Sequence, residues 1–313
     1  MAIHRDSFTS VEAELFLAYV GMETDLIFTQ GIDLPGFASY PLLETEDGRA
    51  LLKRYLSDMI LLGAEMGTGV ILESPTWVAN RDRGAKIGYS PDKIIQLNRQ
   101  AIALMAEVRA EVGDAPTVIS ANLGPRDDAY APSDQMSADE AEKYHSEQIS
   151  ALADTDVDVV SGYTLAYSTE AIGIVRAARR YRLPVVIAFT VETDGRLPTG
   201  STLETAISEV DEATDGYAAY FMINCAHPDH FNSVLADDPW MKRIKGIVAN
   251  ASRCSHAELD EAEELDDGDP DELGKQLSEI RQYFPHIKVL GGCCGTDMRH
   301  MKQIAKAANA MPV

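Results

Sequence analysis

Eight short runs rich in β-branched and aromatic residues recur along the chain, and a helix-length segment follows each of them. The runs predict strands over 14–20, 68–72, 117–121, 157–161, 185–189, 218–223, 244–248 and 287–290. Helices are expected over 48–62, 91–112, 138–153, 169–181, 203–212, 228–235 and 272–284, with a last one from about 296 to 308. Several starts carry good caps, such as Ser90 before Pro91 and Ser137 ahead of Glu140. Strand–helix alternation with no break in composition reads as a parallel sheet. Eight such units in 313 residues point to α/β architecture, a single (β/α)8 TIM barrel spanning 1–313 with its core from about 12 to 308.

Within that frame, Gly291-Gly292-Cys293-Cys294-Gly295 places two adjacent cysteines between glycines, and Cys225 lies upstream. Neighbouring side chains on a regular strand point to opposite faces, so only an irregular turn aims Cys293 and Cys294 at one ion. Glycines permit such a turn because they accept positive φ. Three thiolates are one ligand short of a closed tetrahedral zinc site, and a catalytic zinc keeps that position open. A vicinal disulfide, or two thiols packed under a loop, would use the same residues. Cys225 follows the sixth strand and the pair follows the eighth, both on the barrel face where catalytic groups collect. Candidate substrate contacts on that face are Gly21 and Met22 after strand one, Glu73 after strand two and Asn122 after strand three. Tyr163 follows strand four, Asn224 ends strand six and Asn250 follows strand seven. Cys254 lies farther along a loop, and His227, beside Pro228, reads as a helix-start cap rather than a fourth ligand.

Four cysteines are too few for a secreted disulfide framework. The first residues lack the sustained apolar stretch of a leader, and no run approaches a membrane span of roughly 20 apolar residues. A cytoplasmic protein is expected. Net charge is −23, from 50 acidic and 27 basic residues, which argues against a nucleic-acid or anionic-membrane partner. Ten of the carboxylates crowd residues 258–272, a run expected to be a solvated loop or helix start.

Three thiolates on Zn²⁺ would leave a net charge near −1, a poor setting for activating water and a good one for holding another thiol as thiolate. The matching reaction is in-line attack of that sulfur on an activated methyl group. Onium methyl donors are held by aromatic faces, for which Tyr19, Tyr163, Tyr167, Trp77 and Phe37 are candidates.

At this point the chain resembles the homocysteine S-methyltransferases, which include betaine–homocysteine and S-methylmethionine–homocysteine methyltransferases. The resemblance runs from about Glu12 to Ala308. It rests on Leu183-Pro184-Val185-Val186-Ile187-Ala188-Phe189-Thr190 with Asp194-Gly195-Arg196-Leu197 and Gly200. It continues in Asn224-Cys225-Ala226-His227-Pro228, Ala249-Asn250-Ala251-Ser252 and Gly291-Gly292-Cys293-Cys294-Gly295-Thr296. It implies the same barrel, with Cys225, Cys293 and Cys294 as ligands of a zinc that binds the homocysteine sulfur. Three departures stand out. Tyr19-Val20-Gly21 replaces the family's Asp-Gly-Gly, and Tyr163-Thr164 replaces its Glu-Thr, whose Glu helps to hold the homocysteine amino group. Glu73-Ser74-Pro75-Thr76 stands where many members have Thr-Asn-Thr-Phe.

The expected activity is zinc-dependent methyl transfer from a sulfonium or betaine-type donor, S-methylmethionine first, to homocysteine, giving methionine. One alternative keeps the chemistry and changes the thiol acceptor, because the family's amino-group carboxylates are replaced. Another is a zinc- or thiol-binding barrel without turnover. Partners are then a small thiol and an onium donor, with no cobalamin or folate module; the oligomeric state is not legible, with Trp240, Met241 and the terminal 311–313 as interface or ordinary surface.

Overall fold

Residues 2–6 and 14–310 are described by a computed structural model; the terminal 311–313 and the Glu12 end of the resemblance lie outside them. Eight parallel strands close into a barrel in sequence order, β1 through β8. They are β1 (Phe16–Tyr19), β2 (Gly69–Glu73), β3 (Thr117–Leu123), β4 (Val159–Leu165), β5 (Val185–Phe189), β6 (Tyr220–Asn224), β7 (Ile244–Ala249) and β8 (Val289–Gly292). The ring closes where β1 pairs with β8, Phe16 opposite Val289 and Tyr19 opposite Gly292. The expected (β/α)8 barrel is what the chain forms.

Alternation explains the near-continuous apolar runs. Phe16, Ile71, Val118 and Val186 point into the barrel. Leu17, Val70, Ile119 and Ile187, one residue on or back, pack outward against the helices. A parallel sheet buried on both faces needs apolar residues at both sets of positions.

The main helices follow local signals. α2 (Glu46–Met66) is capped by the Thr45 side chain, which accepts from Gly48 N–H, and ends on Gly67 at φ 68°. α4 (Pro91–Val112) begins with Ser90 as cap and Pro91 in its first turn. It buries Ile94, Leu97, Ala101, Met105 and Val108, spaced at three and four residues. α5 (Ala138–Leu152) carries the full capping box of Ser137 and Glu140. α6 (Ser168–Arg180), α7 (Leu203–Thr214), α10 (Pro270–Tyr283) and α11 (Met298–Ala310) lie within two residues of the expected bounds. No helix among the described residues is long and apolar enough to cross a membrane.

The differences gather at the C-terminal ends of the strands. β3 and β4 extend through Leu123 and Leu165, past the expected 121 and 161. Between Gly162 and Leu165 the β4–β5 register shifts, and Thr164 takes φ 60°. Such an irregularity re-aims side chains next to a site. Short helices not expected from periodicity are α1 (Met22–Thr24), α3 (Arg81–Lys86) and α9 (His256–Asp260). Each is too short for a helical repeat to show in the sequence. The helix expected over 228–235 divides into α8 (Pro228–Phe231) and a 3-10 turn, Asn232–Val234.

Candidate active site and metal centre

Two loop starts at one end of the barrel bring the three cysteines together. Cys225 follows β6 directly and adopts φ 54°, a left-handed conformation uncommon for a residue with a side chain. Strand β7 sits between β6 and β8 and pins both cysteine loops. Cys225 N–H donates to Val248 O at 3.1 Å, and Cys293 N–H donates to Ala249 O at 2.7 Å. Past β8 the chain turns, with Thr296 N–H and Oγ1 both donating to Cys293 O. Positive φ in this motif belongs to Gly295 alone, at 78°. Gly291 is glycine for another reason: a Cβ there would lie 1.9 Å from Ala18 O. The result is that the Cys225, Cys293 and Cys294 sulfurs lie within 4.8 Å of one another. All three are free thiols, and the Cys225 and Cys294 sulfurs are 3.5 Å apart. This set could hold a metal ion. Cys254 stays outside it, 3.9 Å from an Asp266 carboxylate oxygen.

The three thiols do not titrate alike. Hydrogen bonds from the Cys293 and Cys294 thiols pull Cys225 well below the usual thiol range, against the effect of burial. Cys293 and Cys294 are pushed up, chiefly by their hydrogen bonds to Cys225. The first proton to leave this coupled cluster leaves a thiolate held by hydrogen bonds from the two remaining thiols. Tyr130 hydroxyl lies 3.0 Å from the Cys225 sulfur. His256 stacks on Tyr130 with ring centroids 4.0 Å apart, its Nε2 2.7 Å from Cys225 O and its Nδ1 3.0 Å from Glu192 Oε1. Burial would lower His256, but the Cys225 charge and the hydrogen bonds to Cys225 O and Glu192 more than offset it and hold the ring above its ordinary value. His227, as expected, caps α8 by accepting from Asp229 N–H through Nδ1; burial pulls it down to about 4.

The cysteines open onto a cavity of about 440 Å³ at the mouth of the barrel. Of the expected substrate contacts, Asn122, Tyr163, Asn224 and Asn250 lie on its wall. Asn122 is held from behind, because Ser74 Oγ accepts its N–H and Thr76 Oγ1 donates to its carbonyl. The side-chain oxygens of Asn122 and Asn250 are buried and have no partner. Asn224 is already committed, accepting from Thr164 N–H and donating to Thr164 Oγ1, both at 2.9 Å. Gly21 packs behind the site, where a Cβ would meet Cys293 O at 2.4 Å. Met22 and Glu73 face a smaller neighbouring hollow shared with Asn122. Glu73 accepts from Tyr163 hydroxyl at 3.0 Å through Oε1, while its Oε2 is buried without a partner. Burial pushes this carboxyl up to about 8. Of the aromatic candidates, Phe37, Trp77 and Tyr163 line the cavity, Phe37 meeting Trp77 edge-on at 6.0 Å. Tyr19 hydroxyl instead donates to Thr296 O, and Tyr167 hydroxyl accepts from Met136 N–H.

Several wall residues escaped the sequence reading. Glu23, in α1, lines the cavity with its carboxylate taking a 2.5 Å hydrogen bond from Ser39, and burial raises its pKa. The cavity thus has an acidic group beside strand one. Its only sequence signal is its place just past Gly21. The acidic run is the expected solvated loop and helix start, with one addition. Much of it is exposed, yet Asp260, Glu264 and Asp266 form one side of the cavity, because the loop from β7 folds back across the mouth.

The sequence profile described as homocysteine S-methyltransferase matches residues 20–308. The chain belongs to that family. It is accordingly a methyltransferase-family enzyme whose substrates are small molecules. Among solved structures, the homocysteine methyltransferase MmuM from Escherichia coli shares the fold. Its oxidized form aligns at TM-score 0.70 with 17% identity, over 94% of this chain and 96% of that one. Its metallated form aligns at 0.69 with 16% identity, over 98% and 99%. Its apo form aligns at 0.63 with 15% identity, over 95% and 96%.

Proposed function

We propose that this family member moves a methyl group from a sulfonium or betaine-type donor, S-methylmethionine first, to the homocysteine thiol, giving methionine. Cys225, Cys293 and Cys294 would hold the zinc on which the reaction depends. The observation that carries this reading is the convergence of three free thiols within 4.8 Å on the wall of the cavity. Three soft sulfur donors converging on one point are a fitting set for zinc. Bound there, zinc would supply acidification of the acceptor thiol at neutral pH while leaving its sulfur electron-rich.

The chain's own residues supply the rest. Glu23 and the unpartnered oxygens of Asn122 and Asn250 are acceptors for a substrate ammonium group. Phe37 and Trp77 offer aromatic surface to an onium methyl group, and the acidic wall favours positive charge beside it. His256 and Tyr130 hold the Cys225 loop in its left-handed turn. In the transfer, the acceptor sulfur attacks the methyl carbon as the donor's bond to it breaks. The bonding pair leaves with the donor, whose onium centre becomes a neutral thioether or amine, and the acceptor's thiol proton goes to solvent.

A second reading keeps the reaction and changes the acceptor to another small thiol. It is favoured by Tyr163, which stands where the family pattern has Glu and hydrogen-bonds a neighbouring carboxyl, Glu73. Mass spectrometry of products decides between them. Zinc-loaded, reduced protein is given S-methylmethionine with homocysteine and, in parallel, with other thiols. Methionine formed by the wild type and not by Cys294→Ala supports the proposal. Methylation of a different thiol alone would select the second reading. Zinc content with no transfer across a donor panel would leave a binding protein.

A further inference from the structure

The cavity wall carries five carboxylates, Glu23, Asp128, Asp260, Glu264 and Asp266, but only two side chains able to bear positive charge, His256 and Arg83. Both ring nitrogens of His256 are engaged, by Glu192 and by Cys225 O. Arg83 is different. It projects from α3 with Nη2 donating to Asp127 O at 2.7 Å and its guanidinium 5.2 Å from the centre of the Trp77 ring. Among the described residues it has no carboxylate within 4.0 Å, and Nε and Nη1 have no protein partner. The two nearest acids are spent on their own loop: Asp128 accepts from Tyr130 and Ala131 N–H, and Asp127 accepts from Ser133 hydroxyl. A half-buried guanidinium that feels the charges of Asp128 and Asp127 but touches no carboxylate keeps Nε and Nη1 open to an anion in the cavity.

We propose that Arg83 is the carboxylate anchor of this cavity, pairing with the α-carboxylate of an amino-acid substrate. The inference rests on the methyl-transfer reading above and adds the group that would orient the substrate. Stacking on Trp77 and the Asp127 carbonyl hold the guanidinium plane still, which suits a planar, two-pronged bond to a carboxylate. The same wall carries Glu23 and the unpartnered oxygens of Asn122 and Asn250, acceptors for the ammonium of such a ligand, so the cavity offers a zwitterion partners for both of its charges. The loop that carries Asp127 also carries Tyr130, which touches Cys225. One connection thus supports both the anchor and the sulfur site.

Binding without turnover tests it. Zinc-loaded protein is titrated calorimetrically with homocysteine and with 3-aminopropanethiol, which lacks only the carboxylate. A parallel pair is S-methylmethionine and its descarboxy sulfonium analogue. In the wild type, removing the carboxylate from the ligand that Arg83 holds should weaken binding about 10- to 100-fold, the scale of a charged hydrogen bond. Arg83→Met should lose the same factor for the carboxylate-bearing ligand and nothing further for its analogue. Arg83→Lys should recover part of it. The pair that shows this coupling identifies the anchored substrate as acceptor or donor. Equal losses for both members of each pair, no loss at all in a folded Arg83→Met, or no binding of either amino acid to the wild type would overturn the proposal. Coupling without methyl transfer would retire the function reading alone; methyl transfer without coupling would retire the anchor alone.

Discussion

Asp158, at the start of β4, and Glu73, at the end of β2, are two carboxyl groups buried in one barrel and treated in opposite ways. Asp158 is fully enclosed at the N-terminal end and accepts from Ile3 N–H, His4 N–H and Ile119 N–H, with Arg109 Nη1 at 2.6 Å. Arg5, on the same segment as Ile3, adds hydrogen bonds to the carbonyls of Ala153, Thr155 and Val157. Each oxygen of Asp158 is met by two donors. Glu73 has one oxygen on the Tyr163 hydroxyl and the other bare, and its carboxyl is held neutral up to about 8. The unpartnered oxygens of Asn122 and Asn250 share that end. At these two carboxyls, satisfied burial builds scaffold and unsatisfied burial beside the cavity leaves room for a ligand.

The contrast can be broken most sharply at the thiols. Cys225→Ser is expected to cut methyl transfer by more than about 100-fold, beyond what disturbing a metal's outer partners does, with little change in thermal stability. Undiminished transfer in that variant, measured by product formation, would make the cysteine end structural too. Asp158→Ala should do the reverse. It strands Arg109 and three backbone N–H groups, at a cost of about 3–5 kcal/mol in urea unfolding, while turnover per folded molecule is kept. Glu73→Gln probes the intermediate case. The Glu73 carboxyl titrates near 8 when folded against an ordinary 4.5, so its stabilising proton is fully present below 4.5 and is lost as pH rises toward 8. Wild type should therefore lose on the order of a few kcal/mol between pH 5 and 8 that the Gln variant does not lose. Parallel melting curves across that range would show Glu73 to be as well satisfied as Asp158. The smallest effect belongs to Cys254→Ser, whose zinc content by elemental analysis should equal the wild type's because Cys254 lies outside the cluster.

The barrel was legible because its repeat is written in residue type: buried parallel strands demand unbroken apolar runs, and helices between them demand caps such as Ser137 and Glu140. The cysteines were legible because thiols beside glycines at strand ends have few other uses, and the structure brings all three sulfurs together. Tyr130, Arg83 and His256 were not. They sit on connections without periodicity, and only the folded path of those loops turns them inward. Glu23 was hidden by comparison with a motif: Tyr19 replaces the expected acid, and a cavity carboxylate stands four residues later on a helix too short to foresee. The run at 258–272 is the solvated loop and helix start its charge implied, but a count of charges does not tell that three of its carboxylates border the cavity.

Asp260, Glu264 and Asp266 on one wall of the cavity bear on the kinetics of arrival as well as on fit. An acidic rim draws cations in by long-range attraction, an effect that dissolved salt screens within a Debye length of about 10 Å at 0.1 M. S-methylmethionine carries a net positive charge at neutral pH, whereas betaine is neutral overall. Raising ionic strength should thus slow capture of the first and leave capture of the second almost unchanged, so a simple salt series would rank the donors by how this entrance meets them.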